Sequence, residues 1–265
     1  MAANLRRKDV MGKFIIKGGK KLKGVVELSG AKNAALPILV SGILGQEETV
    51  IKNVPVFLED VKVMLDLFEA IGAQVIRENS TIRLCGKNIS VWDTPMELTE
   101  KIRYSLLLLG ALLSKLKKVK ISLPGGCAIG ERKFDLHIKG LRALGCQIDV
   151  GDNYIYGNVE KLKGAEMEFY LPTTSGTENI ILAACFAEGK TILKNANTRP
   201  EVIDMCRFLN GIGAKITVSN RLIEIEGVDK IGGGEYRINS GIDEAVTYMI
   251  IAGITGGEIM IKDYS

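Results

Sequence analysis

The sequence predicts an α/β protein made of three copies of one unit, helices inside and strands outside, followed by the start of a fourth. Three observations carry this. First, the tetrapeptide Gly72-Ala73-Gln74-Val75 returns as Gly145-Cys146-Gln147-Ile148 and as Gly213-Ala214-Lys215-Ile216, spaced by 73 and 68 residues. A period of that size marks stacked supersecondary units. Second, each copy follows a helical pattern and precedes two short strands. Third, each unit opens with a helix that is apolar on nearly every side, as in the LLLLGALL and NIILAACFA stretches. Such a helix has to be buried.

Taken in order, the first residues are polar and basic, and Met11-Gly12-Lys13-Phe14 looks like a natural start. Residues 1–12 are therefore expected to be a leader or a disordered extension. The opening helices are expected at Ala34–Leu44, Ser105–Ser114 and Glu178–Ala187, each followed by a strand: Glu48–Ile51, Val119–Leu123 and Lys190–Leu193. The second helices fall at Val61–Ile71, Leu136–Leu144 and Val202–Ile212. The repeated glycine ends each of them, and a hairpin follows. Glu244–Ile254 and Glu258–Ile261 repeat the opening helix and strand of a fourth unit, with no second helix after them. Half a unit cannot bury its own apolar face, so the expectation is a truncated form of a longer protein, or a chain that completes another.

Composition narrows the function. A length of 265 residues suits one or two domains, and a net charge of +4, not gathered on one face, does not indicate a nucleic-acid binder. Five scattered cysteines without a CxxC pair argue against a disulfide framework or a zinc site and suit a reducing compartment, the cytoplasm. His137 is the single histidine, so a multi-histidine metal site is excluded. The longest apolar runs, 106–113 and 180–187, fall short of the ~20 residues of a membrane span. The first ten residues lack the apolar region of a secretory signal.

The chemistry-bearing stretch is Leu123-Pro-Gly-Gly-Cys127, followed by Arg132, Lys133, Phe134, Asp135, Leu136 and His137. A thiol at a glycine-rich turn with cations close by is placed for a lowered pKa. The alternative is a small buried hydrophobe, which is the expectation for Cys85, Cys146, Cys185 and Cys206. Asp135 suits either an N-cap or a ligand contact, and His137 either a packed or capping residue or a site residue. Lys32 and Asn33 open the first apolar helix. Arg103 precedes the second, and Thr173, Thr174, Ser175 and Gly176 precede the third. A helix start offers amides to an anion. One such start would mean little, and a solvated lysine is the bland account of Lys32. Three related starts on one side of a pseudo-threefold domain predict a phosphate-rich site.

The strings SGAKNAALPIL (29–39), LPGGCAIGER…DLH (123–137), Gly-Thr-Glu-Asn (176–179) and PEVID (200–204) resemble the enolpyruvyl transferases. The resemblance is to the branch acting on UDP-N-acetylglucosamine at the first committed step of peptidoglycan synthesis. It runs from Met11 to Ser265. It implies an inside-out α/β barrel: two domains of three units each, with the active site between them. It places 33–238 in a three-repeat domain carrying the cysteine loop, and 13–32 and 239–265 in the second, catalytic domain. The implied reaction moves enolpyruvyl from phosphoenolpyruvate to the 3-hydroxyl of UDP-N-acetylglucosamine and releases phosphate, with no metal or organic cofactor implied. Cys127 matches the proton donor and fosfomycin target. Lys32, Asn33 and Arg132 match the surroundings of phosphoenolpyruvate, and Arg103 a substrate-binding arginine. Lys133–His137 match the nucleotide stretch, and Thr173–Gly176 the diphosphate turn. The implied partners are the two substrates, with no nucleic acid and no membrane, and either a complementing C-terminal half or further copies of the chain.

The chain departs from the family pattern at three places. Arg132-Lys133-Phe134-Asp135 stands for Arg-Pro-Val/Ile-Asp, Arg199-Pro200-Glu201 for Glu-Pro-Glu, and Gly241-Ile242-Asp243-Glu244 for Asp-Arg-Ile-Glu. Another nucleotide acceptor such as UMP therefore stays open beside the main expectation, and so does a non-catalytic nucleotide-binding role, because the rest of the second domain is expected beyond Ser265.

Overall fold

A computed structural model describes residues 15–125 and 133–264. The first unit runs β1 (Lys23–Glu27), α1 (Lys32–Gly42), β2 (Thr49–Lys52), α2 (Glu59–Ala70), β3 (Gln74–Glu78) and β4 (Thr81–Cys85). A short helix, α3 (Met96–Thr99), and a 3-10 turn at Arg103–Leu106 lead to the second unit. That unit is α4 (Leu107–Leu116), β5 (Lys118–Ser122), α5 (Asp135–Ala143), β6 (Gln147–Val150) and β7 (Tyr154–Asn158). The third is β8 (Glu166–Glu168), α6 (Thr174–Ala184), β9 (Lys190–Lys194), α7 (Pro200–Gly211), β10 (Lys215–Ser219) and β11 (Leu222–Glu226). Then come β12 (Gly234–Arg237), α8 (Ile242–Thr255) and β13 (Glu258–Lys262).

α1, α4 and α6 form the centre. Leu36, Ile38 and Leu39, Leu107 to Leu109, and Ile180 to Leu182 are all sealed from solvent. α4 and α6 touch at the backbone: a Cβ on Gly110 would stand 2.3 Å from the carbonyl oxygen of Asn179. The Gly110 amide donates to Asn179 Oδ1 at 2.8 Å, and Ser114 Oγ donates to the carbonyl of Leu182 at 3.1 Å. Only glycine permits this approach. The second helices bury one face each and end at Gly72, Gly145 and Gly213, whose φ angles of 100°, 94° and 112° suit a left-handed helix terminus. The repeated tetrapeptide is thus a repeated helix stop.

Each unit carries its own sheet outside this core. The strand orders are β12-β2-β4-β3, β5-β7-β6 and β8-β9-β11-β10. In every sheet the strand after the central helix pairs antiparallel with its hairpin. It also has a parallel neighbour on its other side: β8 beside β9, and Asp93 bridged to Lys120 beside β5. The first unit breaks the rule. β1 precedes α1 yet does not pair with β2, and β12 takes its place in parallel register, Gly234 opposite Thr49. β1 pairs instead with β13, Lys23 opposite Glu258. The two segments cross where Ala31 N donates to Asn239 O at 2.9 Å and Gly241 N to Ser29 O at 3.1 Å.

Two expectations need correction. α6 begins at Thr174, four residues before the expected Glu178, because Thr173 caps it: its Oγ1 accepts from the Gly176 amide at 3.3 Å. A Thr-Thr-Ser-Gly run looks like a loop by propensity, but its hydroxyls satisfy the free amides of a helix start. Asp135 is not the N-cap of α5. Phe134 holds that position, and Asp135 lies in the first turn. β8 and β12 were not anticipated, since both are short and neither alternates clearly.

Candidate active site

The central helices run in one direction. Leu44, Leu116 and Phe186, at or just past their C-terminal ends, line a single cavity of about 720 Å³. Their N-terminal ends therefore gather at the opposite end of the body, where Lys32, Arg103 and Thr174 lie.

Lys32 opens α1, and its Nζ donates to Asp60 Oδ2 at 2.9 Å, both side chains being more than a third exposed. A pair this exposed is weak, so an arriving anion can take the ammonium from Asp60. Lys32 and Asn33 line a cavity of about 430 Å³ with Phe57, Glu201, Asp243 and Glu244. A second cavity of about 390 Å³ shares Ala31, Glu201 and Ile242 with it and adds Asp204, Arg207 and Asn239. The strand crossing forms the wall: Ser29 donates its amide and its hydroxyl to Glu244 Oε2 at 3.2 and 3.0 Å.

Asn33 leads to the next helix start, with Tyr104 Oη 3.4 Å from its Oδ1. Next to Tyr104, Arg103 donates to the carbonyl of Lys133 at 3.0 Å. That bond ties the opening of the second unit to the residues before α5. Lys133 is exposed, Phe134 packs on the core, and Leu136 is buried. Asp135 accepts from Tyr170 Oη at 2.9 Å. His137 is buried, with Nδ1 2.9 Å from Asn179 Nδ2 and Nε2 3.1 Å from Ser175 Oγ. Burial first, and Arg103 second, lower its pKa to about 3, so the ring is neutral. Thr174 Oγ1 accepts from Asn197 Nδ2 at 3.0 Å.

Lys32, Asn33, Arg103, Lys133 to His137 and Thr173 to Gly176 thus form one connected face. Cys127 and Arg132 lie outside the described residues. Among the described residues, no group of three or more His, Cys, Asp or Glu side chains is placed to hold a metal ion. Sequence reasoning missed the acids beneath the face. Glu178, on α6, is fully buried, and neither of its carboxylate oxygens has a hydrogen-bond partner. Burial, and then Glu201, push it up to about 8. Asp204 accepts from Tyr236 Oη at 2.5 Å and Asn239 Nδ2 at 2.7 Å. Burial still raises its pKa against those bonds. A carboxylate just ahead of the apolar run 180–187 of a buried helix was the available signal for Glu178. Arg199 Nε stands 3.6 Å from Glu201 Oε2.

Two-layered units around buried helices, with cationic and amide-rich helix starts at one end, define an enolpyruvyl transferase-type domain. The family model of EPSP synthase (3-phosphoshikimate 1-carboxyvinyltransferase) matches residues 16–265, and the chain belongs to that family. At the level of sequence it is similar to UDP-N-acetylglucosamine 1-carboxyvinyltransferase of Coxiella burnetii, 45% identical over 256 residues, covering 96% of this chain and 59% of that protein. The protein of the same name from Geotalea uraniireducens is 42% identical, covering 96% and 61%. The chain thus spans about three fifths of the length of these relatives. Among solved structures, the enolpyruvyl transferase NikO from Streptomyces tendae superposes with a TM-score of 0.77 at 20% identity, covering 88% of this chain and 55% of that one. EPSP synthase from Acinetobacter baumannii gives 0.75 at 22%, covering 94% and 57%. These two likenesses concern the fold alone.

Proposed function

We propose that this chain is the cysteine-loop half of a cytoplasmic enolpyruvyl transferase acting on phosphoenolpyruvate and UDP-N-acetylglucosamine. The observation that carries the reading is the gathering of three helix starts, with Lys32, Asn33, Arg103 and Thr173–Gly176, on one face. The names of the sequence relatives support the choice of acceptor. In this reading the 3-hydroxyl, giving up its proton to a base of the C-terminal half, adds to C2 of phosphoenolpyruvate while Cys127 delivers a proton to the methylene carbon. Phosphate then leaves as the new methyl group gives up a proton, which forms the enol ether. Lys32 and Arg132 offset the phosphate and carboxylate charge as the tetrahedral adduct forms. Asn33 lines the same pocket, and Arg103 and the start of α6 receive the sugar nucleotide. A C-terminal half, joined to this chain or supplied by a partner, closes the cleft.

The test is phosphate release by the natural gene product with both substrates. Cys127→Ala should abolish it, and Lys32→Ala should lower turnover roughly a hundredfold, the usual effect of removing one preorganised cation or donor. Equal turnover with UMP as acceptor would overturn the acceptor assignment. Unchanged turnover in both variants would overturn the reading.

A further inference from the structure

A chain of hydrogen bonds through the core ends on the proposed diphosphate turn, and its polarity can be followed atom by atom. The Gly110 amide is a donor only, so Asn179 must present Oδ1 to it, at 2.8 Å. That fixes the flip of the carboxamide and turns Nδ2 toward His137 Nδ1, at 2.9 Å. An amide nitrogen donates, so Nδ1 accepts. The proton of a neutral imidazole then sits on Nε2, which faces Ser175 Oγ at 3.1 Å. Ser175 is thereby an acceptor toward His137. Its own hydrogen is directed away from the ring, at the first turn of α6.

We infer that His137 is a positioning residue: its Nε2–H holds the Ser175 hydroxyl as an oriented donor to a diphosphate at the start of α6. This rests on the reading above and deepens it, since His137 then acts on the sugar nucleotide through Ser175 and not by touching it. The device begins where α4 and α6 meet, so the approach that requires Gly110 also sets the polarity of the site. Uncharged, the ring keeps one orientation and one tautomer over the physiological pH range.

The lone histidine gives an unambiguous signal in nitrogen-detected magnetic resonance of the full chain. The expected spectrum is the Nε2–H tautomer at pH 6 to 8, shifted by Ser175→Ala and by pyrophosphate or UDP. An Nδ1–H tautomer, a charged ring at pH 6, or a signal indifferent to Ser175→Ala would overturn the inference, whether or not any histidine variant folds. In titrations, Ser175→Ala should weaken pyrophosphate and UDP about tenfold, the worth of a hydrogen bond to a charged group, and leave uridine unaffected. Ser175→Thr should restore affinity. His137→Gln should weaken the same ligands in the parent chain and add nothing in the Ser175→Ala background; additive losses would mean a merely structural histidine. Failure of the parent chain to bind pyrophosphate or UDP also overturns the relay. Binding of UDP-N-acetylglucosamine that ignores Ser175 overturns it and leaves the transferase reading standing. Pyrophosphate binding that needs Ser175, with no gain from the sugar nucleotide, does the reverse.

Discussion

α6 and α8 are the same element of the repeat in two states of completion. Both are apolar and both lead into a strand. On α6, Gly176 through Ala184 are all buried, whereas on α8 only Ala245 is. α6 has α4 on one side and α5 and α7 on others. α8 packs on β13, and Met249, Ile250 and Ile254 stay 46, 57 and 79% exposed. The difference teaches that an apolar helix in this fold is stabilised by the second helix and hairpin of its unit and by neighbouring central helices, not by its own composition.

The largest expected effect separates the regions by pH. Inside the three-unit body, Glu178 is raised to about 8 by burial and then by Glu201, and Asp204 is raised as well. An acid with a raised folded pKa keeps its proton in the fold after the unfolded chain has released it. Its stabilisation is whole below the unfolded pKa of about 4.3 and is lost as pH rises toward 8. His137, lowered to about 3, works oppositely: its contribution is whole above the unfolded pKa of about 6.5 and is lost as pH falls toward 3. Urea midpoints should therefore decline from about pH 6 to pH 8, by no more than tenfold in the folding constant per pH unit for each proton. Glu178→Gln should flatten most of that limb. A limb that persists unchanged in the variant would show that the buried acids of the body do not set it.

A smaller effect sharpens the same contrast at two glycines. Gly110→Ala in α4 would push a Cβ to 2.3 Å from the Asn179 carbonyl. Backbone cannot move aside as a side chain can, so a loss of about 2 kcal/mol is expected. Gly253→Ala in α8 meets nothing within 4 Å. There the ordinary helix preference should show as a gain of up to about 1 kcal/mol. Denaturant titration of both variants checks the pair. A large loss at Gly253 would mean that α8 is packed in solution.

The three-unit body was legible because its signals are local. Gly72, Gly145 and Gly213 mark helix stops by their positive φ, and a helix without a polar face declares its burial within ten residues. β8 and β12 were not legible, because four residues or fewer become a strand only beside β9 or β2. The exchange of β1 for β12 was hidden for the same reason: it joins segments about 200 residues apart. At the site, Lys32, Asn33 and Thr173 could be picked out by their place before apolar helices. Tyr170 with Asp135 and Ser175 with His137 are pairs 35 and 38 residues apart in sequence, and no spacing rule joins them. The relation of Glu178 to Glu201 was hidden similarly, since it exists only where α6 and α7 meet. Cys127 was the sharpest sequence signal of all and stands outside the described residues.

The smallest effect tests the fourth unit alone. Ile250→Ser and Ile254→Ser remove apolar groups that are already more than half in water. Little burial is forfeited, so folding stability should change by less than about 0.5 kcal/mol. An equivalent change at Ile181, sealed between α6 and its neighbours, should prevent folding. What the two exposed substitutions should alter is association. An apolar helix face beside the two-stranded β1–β13 sheet promotes self-contact, so light scattering should show fewer oligomers in the double variant. A substantial loss of stability instead would mean that this face is already covered in the isolated chain. The contrast between α6 and α8 would then be one of partners, not of completion.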